Sequence, residues 1–257
     1  MKRFDCILAL GTLVLLSLSL LAAEPMRAQE SSTLPVMRVG EVCGKVWILK
    51  SGSMDWVEAA GHSGSALAQG DLIATRESSY IEIELGSRTL LRLGDHTEAR
   101  ILDVASEGSE VQLQVGVASI SALAKKSDPR LRIITPAASV RPLGQGHYRV
   151  DVDLNDGTRV TVRKGKAEVT APRGRVILGK HQLVRVQNDG EPKYLATRAP
   201  RRDAWDNFVQ GLDHDLEHPP SSDSASDSEE SQSDSWVGLV LDIVNALRSN
   251  DNDNDDD

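Results

Sequence analysis

Three places in this chain have residue types and spacing that could do chemistry. His214-Asp215-Leu216-Glu217-His218 has the H-x-x-E-H spacing of a zinc-peptidase helix, which sets two imidazoles on one face with a carboxylate beside them. The stretch ends a helical pattern directly before Pro219-Pro220 and an acidic run, and a third ligand has no obvious source. The terminal run from Asp251 to Asp257 has carboxylates enough for calcium, but it lacks the turn glycine and distal Glu of a calcium loop. Gly61-His62-Ser63-Gly64-Ser65 misses the nucleophile-elbow spacing by one residue. His96, His147 and His181 fall at turns and strand starts, where surface positions are expected. The sequence therefore predicts no catalytic residue, no metal ligand and no cofactor. It reads as a non-enzymatic chain.

The elements that would position any site are strands. Val42, Val46 and Ile48 alternate; Ile81, Ile83 and Leu85 take one face while Tyr80, Glu82 and Glu84 take the other. Leu91 and Leu93 resume the apolar face, and Val111, Leu113 and Val115 repeat it. Gly-rich turns recur about every eight to twelve residues, the spacing of an all-β sandwich, barrel or solenoid. Asn155-Asp156-Gly157 is the strongest hairpin signal, with positive φ expected at both central positions. The stretch from Ile133 to Gly190 carries this punctuation without any His, Cys or carboxylate cluster. Asp71 after Gly70 should bind local backbone N–H groups, and Thr135-Pro136 should force an extended lead into the next strand.

From Pro200 the period changes to that of a helix. Trp205, Phe208, Val209, Leu212 and Leu216 form one stripe over residues 200–218. Residues 219–234 read as a disordered, acidic, serine-rich linker. A second amphipathic helix is predicted over 235–249, with Trp236, Val237, Val240, Leu241, Val244 and Leu247 as a docking stripe. Residues 250–257 form an acidic tail.

Composition narrows the function classes. The net charge of −9 is local: residues 221–257 hold eleven of the 38 acids and one of the 29 bases, so the body is close to neutral. With no basic face and only 4% aromatic residues, nucleic-acid binding has little support. Lys2 and Arg3 precede an apolar run from Cys6 to Leu21, and small residues at Ala22-Ala23 and Ala28 follow. This predicts a signal peptide within residues 1–28, hence a periplasmic or secreted protein with no membrane span after cleavage. Cys43 would then be the lone cysteine, which excludes an internal disulfide.

Six elements in order make residues 39–192 resemble the FecR-like domain of bacterial envelope proteins. They are Val39-Gly40-Glu41-Val42, Gly70-Asp71-Leu72-Ile73-Ala74-Thr75, Leu90-Leu91-Arg92-Leu93-Gly94, Thr135-Pro136-Ala137, Val162 to Val169, and Gly179 to Val184. Gly70, Asp71, Thr135, Pro136, Asp156, Gly157 and Gly165 are expected to be structural turn residues. The resemblance implies an all-β domain, a β-roll (solenoid-like) or a β-sandwich, with a short helical and acidic tail. It implies protein recognition, scaffolding or signal sensing with an envelope protein partner. Sensor members of the family couple such a domain through a membrane helix to a sigma-regulating segment. Here the domain follows only the signal, so a direct regulator of a sigma factor and transporter is the alternative reading. Gly146-His147-Tyr148-Arg149 also departs from the family's Gly-Thr-x-Phe, its aromatic one position early. A cell-wall or carbohydrate-binding or -active protein is the third.

Overall fold

The computed structural model describes residues 37–218 except 87, 106–107, 125–129, 189–191 and 194–197. The predicted signal peptide and the helix carrying Trp236, Val237, Val240, Leu241, Val244 and Leu247 lie outside the described residues.

The described chain is all-β with one helix near its end. The first nine strands are β1 (Met37–Cys43), β2 (Val46–Leu49), β3 (Trp56–Glu58), β4 (Ala66–Leu67), β5 (Leu72–Thr75), β6 (Tyr80–Leu85), β7 (Thr89–Leu93), β8 (Glu98–Ala105) and β9 (Gly108–Ala122). Eight more follow: β10 (Leu131–Ile134), β11 (Ser139–Pro142), β12 (Gly146–Asp153), β13 (Gly157–Lys164), β14 (Ala167–Ala171), β15 (Gly174–Leu178), β16 (Gln182–Val186) and β17 (Pro192–Lys193). Helix α1 spans Ala204–Glu217.

Successive hairpins are laid alternately into two sheets. Sheet I has the order β4-β1-β6-β7-β9-β12-β13-β16-β17. Sheet II has the order β3-β2-β5-β8-β9-β10-β11-β14-β15. Only β9 and β10 run parallel among these pairs. The two inner faces share one core, with Ile48, Ile73, Ile101, Leu113, Ile133 and Val140 from sheet II and Ile83, Leu91, Ile120, Tyr148, Val160 and Val184 from sheet I. Alternating hairpins make the chain a roll, and two inner faces sharing a core make it a sandwich. The two expected architectures merge.

Strand β9 joins the sheets. Its first half pairs with β8 and β10 in sheet II; its second half pairs with β7 and β12 in sheet I. The change of sheet shifts the inward phase from Val111 and Leu113 to Ala118, Ile120 and Ala122. Val115, expected on the apolar face, is therefore only half-buried at the crossover. Gly116 makes the crossover, at φ +100, where a Cβ would sit 2.3 Å from Thr97 Oγ1 and 2.8 Å from the His96 carbonyl oxygen.

Two expected turns form differently. The β12–β13 hairpin has Gly157 at φ +88, whereas Asn155 and Asp156 stay at negative φ. Asp153 Oδ1 accepts from both the Asn155 and Asp156 N–H groups at 2.7 and 2.9 Å, so a side chain shapes the loop that positive φ was expected to shape. Thr135-Pro136 does not lead directly into a strand. Thr135 Oγ1 accepts from the Ala138 N–H at 2.9 Å and closes the turn between β10 and β11.

Substituting Gly116 with Ala should destabilise the domain by about 2–4 kcal/mol, from backbone strain and overpacking together. Gly211→Ala in α1, where a Cβ meets nothing within 4 Å, should instead stabilise the helix by about 0.5–1 kcal/mol. Urea midpoints of the two variants check this pair, and a Gly116→Ala midpoint at or above wild type would contradict the crossover role.

Candidate functional site

The outer faces of the two sheets carry opposite treatments. On sheet I the register aligns Glu82, Arg92, Ser119, Arg149 and Thr161 in one row across five strands. The next row aligns Glu84, Leu90, Ser121, His147 and Lys164. Such polar rows read as solvated. Here they lie under α1.

Helix α1 starts because Asp203, in extended backbone, caps it by accepting the Asp206 N–H at 2.9 Å. Its buried positions are Asp206, Val209 and Asp213, spaced by roughly one turn each. Two carboxylates thus occupy the face that packs on the sheet. Leu216, expected on that face, is half-exposed at 51% because the helix has run past the sheet contacts that bury Asp213. Trp205 and Phe208 flank the interface, with Phe208 edge-on to Tyr80 at 5.0 Å and Trp205 Nε1 donating to Ser119 Oγ at 2.8 Å.

Asp213 is the hub. Its Oδ1 accepts from Arg92 Nη1 at 2.7 Å, and its Oδ2 accepts from Ser121 Oγ at 2.6 Å and faces His147 Nδ1 at 3.0 Å. Arg92 is fully buried and also donates from Nε to Glu82 Oε2 at 2.7 Å. Asp206 is engaged by the Arg163 guanidinium, and Asp203 by Arg149 Nη1 at 2.6 Å. Burial alone would raise the Asp213 carboxyl, but His147, Arg92 and Ser121 together hold it below the ordinary carboxylate range. Glu82 moves the other way, because burial outweighs the single Arg92 it shares with Asp213.

Two concavities result. Between α1 and sheet I lies a cleft of about 340 Å³ lined by His147, Arg149, Arg163, Lys164, Lys180, His181, Arg202, Asp206, Gln210 and Asp213. On sheet II, where no helix lies among the described residues, a groove of about 570 Å³ runs over Trp47, Trp56, Leu72, Arg76, Glu98, Arg100 and Gln114. Register places Trp47 beside Ala74 and Glu98, and Leu49 beside Trp56, Leu72 and Arg100, all on one face. Trp56, Val57 and Met54 are exposed at the β3 edge.

The residues singled out from sequence are scattered across the domain. Gly70 and Gly165 take positive φ at turns, as Gly157 does. Buried Asp71 accepts from the Ser51 and Ala68 N–H groups and from Lys50 Nζ, each at 2.9 Å. Thr135 is buried, and Pro136 and Asp156 lie in loops. Cys43, expected as a buried apolar residue, is only half-buried. His214 and His218 stack at 4.6 Å on exposed helix positions, and among the described residues no cluster of three His, Cys, Asp or Glu could hold a metal. His147 and His181, expected on the surface at large, line the cleft under α1. The residues sequence reasoning missed are Arg92, Asp206 and Asp213. The available signal was an arginine alone amid Thr89-Leu90-Leu91-Arg92-Leu93, and aspartates seven apart on a helix.

Residues 71–168, from β5 to β14, match the family described as FecR protein. The chain carries a FecR-like domain over these residues. Two crystal structures of a Parabacteroides distasonis protein assigned as an anti-sigma factor are similar to it at 22% identity and a TM-score of 0.45, covering 57% of this chain and 72% and 73% of theirs. No curated protein matches the sequence. Within the FecR-like segment lie Arg92, Ser119, Ser121, His147, Arg149 and Arg163, the sheet half of the helix clamp; α1 lies beyond its end.

Because Asp213 ionises more readily folded than unfolded, its contribution is complete above the unfolded value near 3.9 and is lost as pH falls through the lower folded value. Amide protection over 204–217, taken relative to the intrinsic exchange rate at each pH, should therefore hold constant from pH 7 to about 5 and fall below about 4. Asp213→Ala should leave the α1 amides exchanging freely at pH 7, since breaking this buried pair leaves Arg92 with Glu82 alone and costs about 3–5 kcal/mol unless the helix lifts away. Unchanged α1 protection in that variant would refute the clamp.

Proposed function

We propose that this chain is an exported, non-enzymatic recognition module of the cell envelope, whose partner is an extended polypeptide segment bound across the open face of sheet II. The observation that carries this is the asymmetry of the two faces. Sheet I is closed by its own helix, whereas sheet II presents two tryptophans and Leu72 along one groove, with Leu49 on the same face. Its β3 edge adds exposed Met54, Trp56 and Val57, where Trp56-Val57-Glu58 has no strand on its outer side among the described residues. An open edge beside an apolar face suits an added strand, whose main chain pairs with the edge while alternate side chains enter the groove. The match to the FecR family supports a signalling-regulator role, with the partner belonging to an envelope relay. The body's near-neutral charge is consistent with apolar contact rather than electrostatic capture.

A second reading is favoured by one specific feature of the same groove. Trp47 and Trp56 stand with Glu98, Arg100 and Gln114, a mixture of aromatic faces and hydrogen-bonding groups that also suits a sugar ring.

A photoreactive phenylalanine analogue at position 56 distinguishes them in intact cells. The first reading predicts a discrete covalent adduct of protein mass, reduced at least about tenfold by Trp47→Ala, while an analogue at exposed Gln210 gives none. Absence of a protein adduct at position 56, with retention of the purified chain on isolated cell wall that Trp47→Ala abolishes, would replace the first reading by the second.

A further inference from the structure

The cleft under α1 holds more positive charge than the helix neutralises. Arg149 and Arg163 are engaged by Asp203 and Asp206, but Lys164, Lys180 and Arg202 have no carboxylate partner among the described residues. Lys164 ends β13, Lys180 precedes β16 and Arg202 precedes α1, so three separate elements direct cations to one cavity. A second observation lies deeper. Arg163 is about 10% exposed and uses Nη1 and Nη2 on the Pro200 carbonyl and Asp206, yet its buried Nε has no hydrogen-bond partner. A buried donor without a partner is rare, and this one belongs to a residue that lines the cleft.

We infer that this cleft is a binding site for an acidic peptide, and that its occupant is the chain's own segment 223–234. That segment carries Asp223, Asp227, Glu229, Glu230 and Asp234 with no Lys or Arg among them. It begins six residues after the end of α1, a span of up to about 21 Å when extended. Gln210 at the cleft lies seven residues back along the helix, about 10 Å. The segment therefore reaches the cleft without strain. The charge division of the chain, an acidic end on a near-neutral body, acquires a local reason: the acids face the three unmatched cations. The inference stands apart from the sheet II docking reading, which uses the other face.

Zero-length carbodiimide coupling on the chain from residue 29 to its C-terminus tests it. Amide links should form between Lys164 or Lys180 and the acids of 223–234, in preference to the exposed Lys45 and Lys166. Their yield should fall at least about fivefold between 50 and 500 mM NaCl, where the screening length shrinks from about 14 to about 4 Å. It should be unchanged on tenfold dilution, since the segment is in the same chain. Amide exchange should confirm it independently: segments 147–164 and 202–213 should exchange faster when the five acids are replaced by Asn and Gln, and again in Lys164→Glu/Lys180→Glu. Links spread evenly over all lysines would overturn the inference. So would a yield that falls with dilution, or exchange unchanged in both variants.

Discussion

One buried carboxylate organises the C-terminal side of this molecule. Asp213 comes from a helix beyond the FecR-like segment and meets Arg92, Ser121 and His147 from three strands of sheet I. A guanidinium at 0% exposure is costly unless its charge is answered. Glu82 answers part of it within the sheet, and Asp213 the rest from outside. The sheet thus needs the helix as much as the helix needs the sheet. The apolar contacts of Val209, Phe208 and Trp205 add burial, but they do not fix the helix's position along the sheet. The charges that meet its carboxylates from β7, β12 and β13 do.

That clamp sorts the surface of the domain. With sheet I occupied, Arg92, Ser119, Ser121 and Thr161 of its polar rows are withdrawn from solvent, Glu84 and Lys164 stay exposed at the row ends, and a basic cleft is left along the helix edge. Sheet II keeps its outer face, and with it the tryptophan groove and the β3 edge. The two concavities therefore differ in kind. One is built from cations and suits an acidic chain; the other is aromatic and suits an extended apolar one. Both sit on a framework tied together by β9, whose passage between the sheets depends on Gly116.

The strand framework was legible because period-two alternation reports burial directly. Ile81, Ile83 and Leu85, Leu91 and Leu93, and Val111 and Leu113 all turn inward as read. The all-β class and the FecR-like resemblance followed from that pattern and its glycine punctuation. The division into two sheets was not legible, because a strand that changes sheet keeps its alternation and merely slips phase at one glycine. The helix interface was read half correctly. Trp205, Phe208, Val209 and Leu212 pack, but Asp206 and Asp213 lie nearer the centre of the face, since a polar residue signals exposure until its partner is known. The partners, Arg92 and His147, lie 121 and 66 positions away in sequence. No local pattern connects them.

The most direct test of the clamp is a double-mutant cycle on Arg92 and Asp213, using Arg92→Met and Asp213→Leu with α1 amide exchange as the readout. Asp213→Leu leaves Arg92 with Glu82 alone and Arg92→Met leaves Asp213 with His147 and Ser121, whereas the pair removes both charges. The loss of Arg92 from Glu82 is common to the Arg92 single and the double variant and cancels in the cycle. The account predicts that the double variant holds α1 far better than the sum of the singles, with a coupling of about 1.5–3 kcal/mol. Additive effects, within about 0.5 kcal/mol, would show that the helix is held by its apolar contacts alone and would contradict the central role of Asp213.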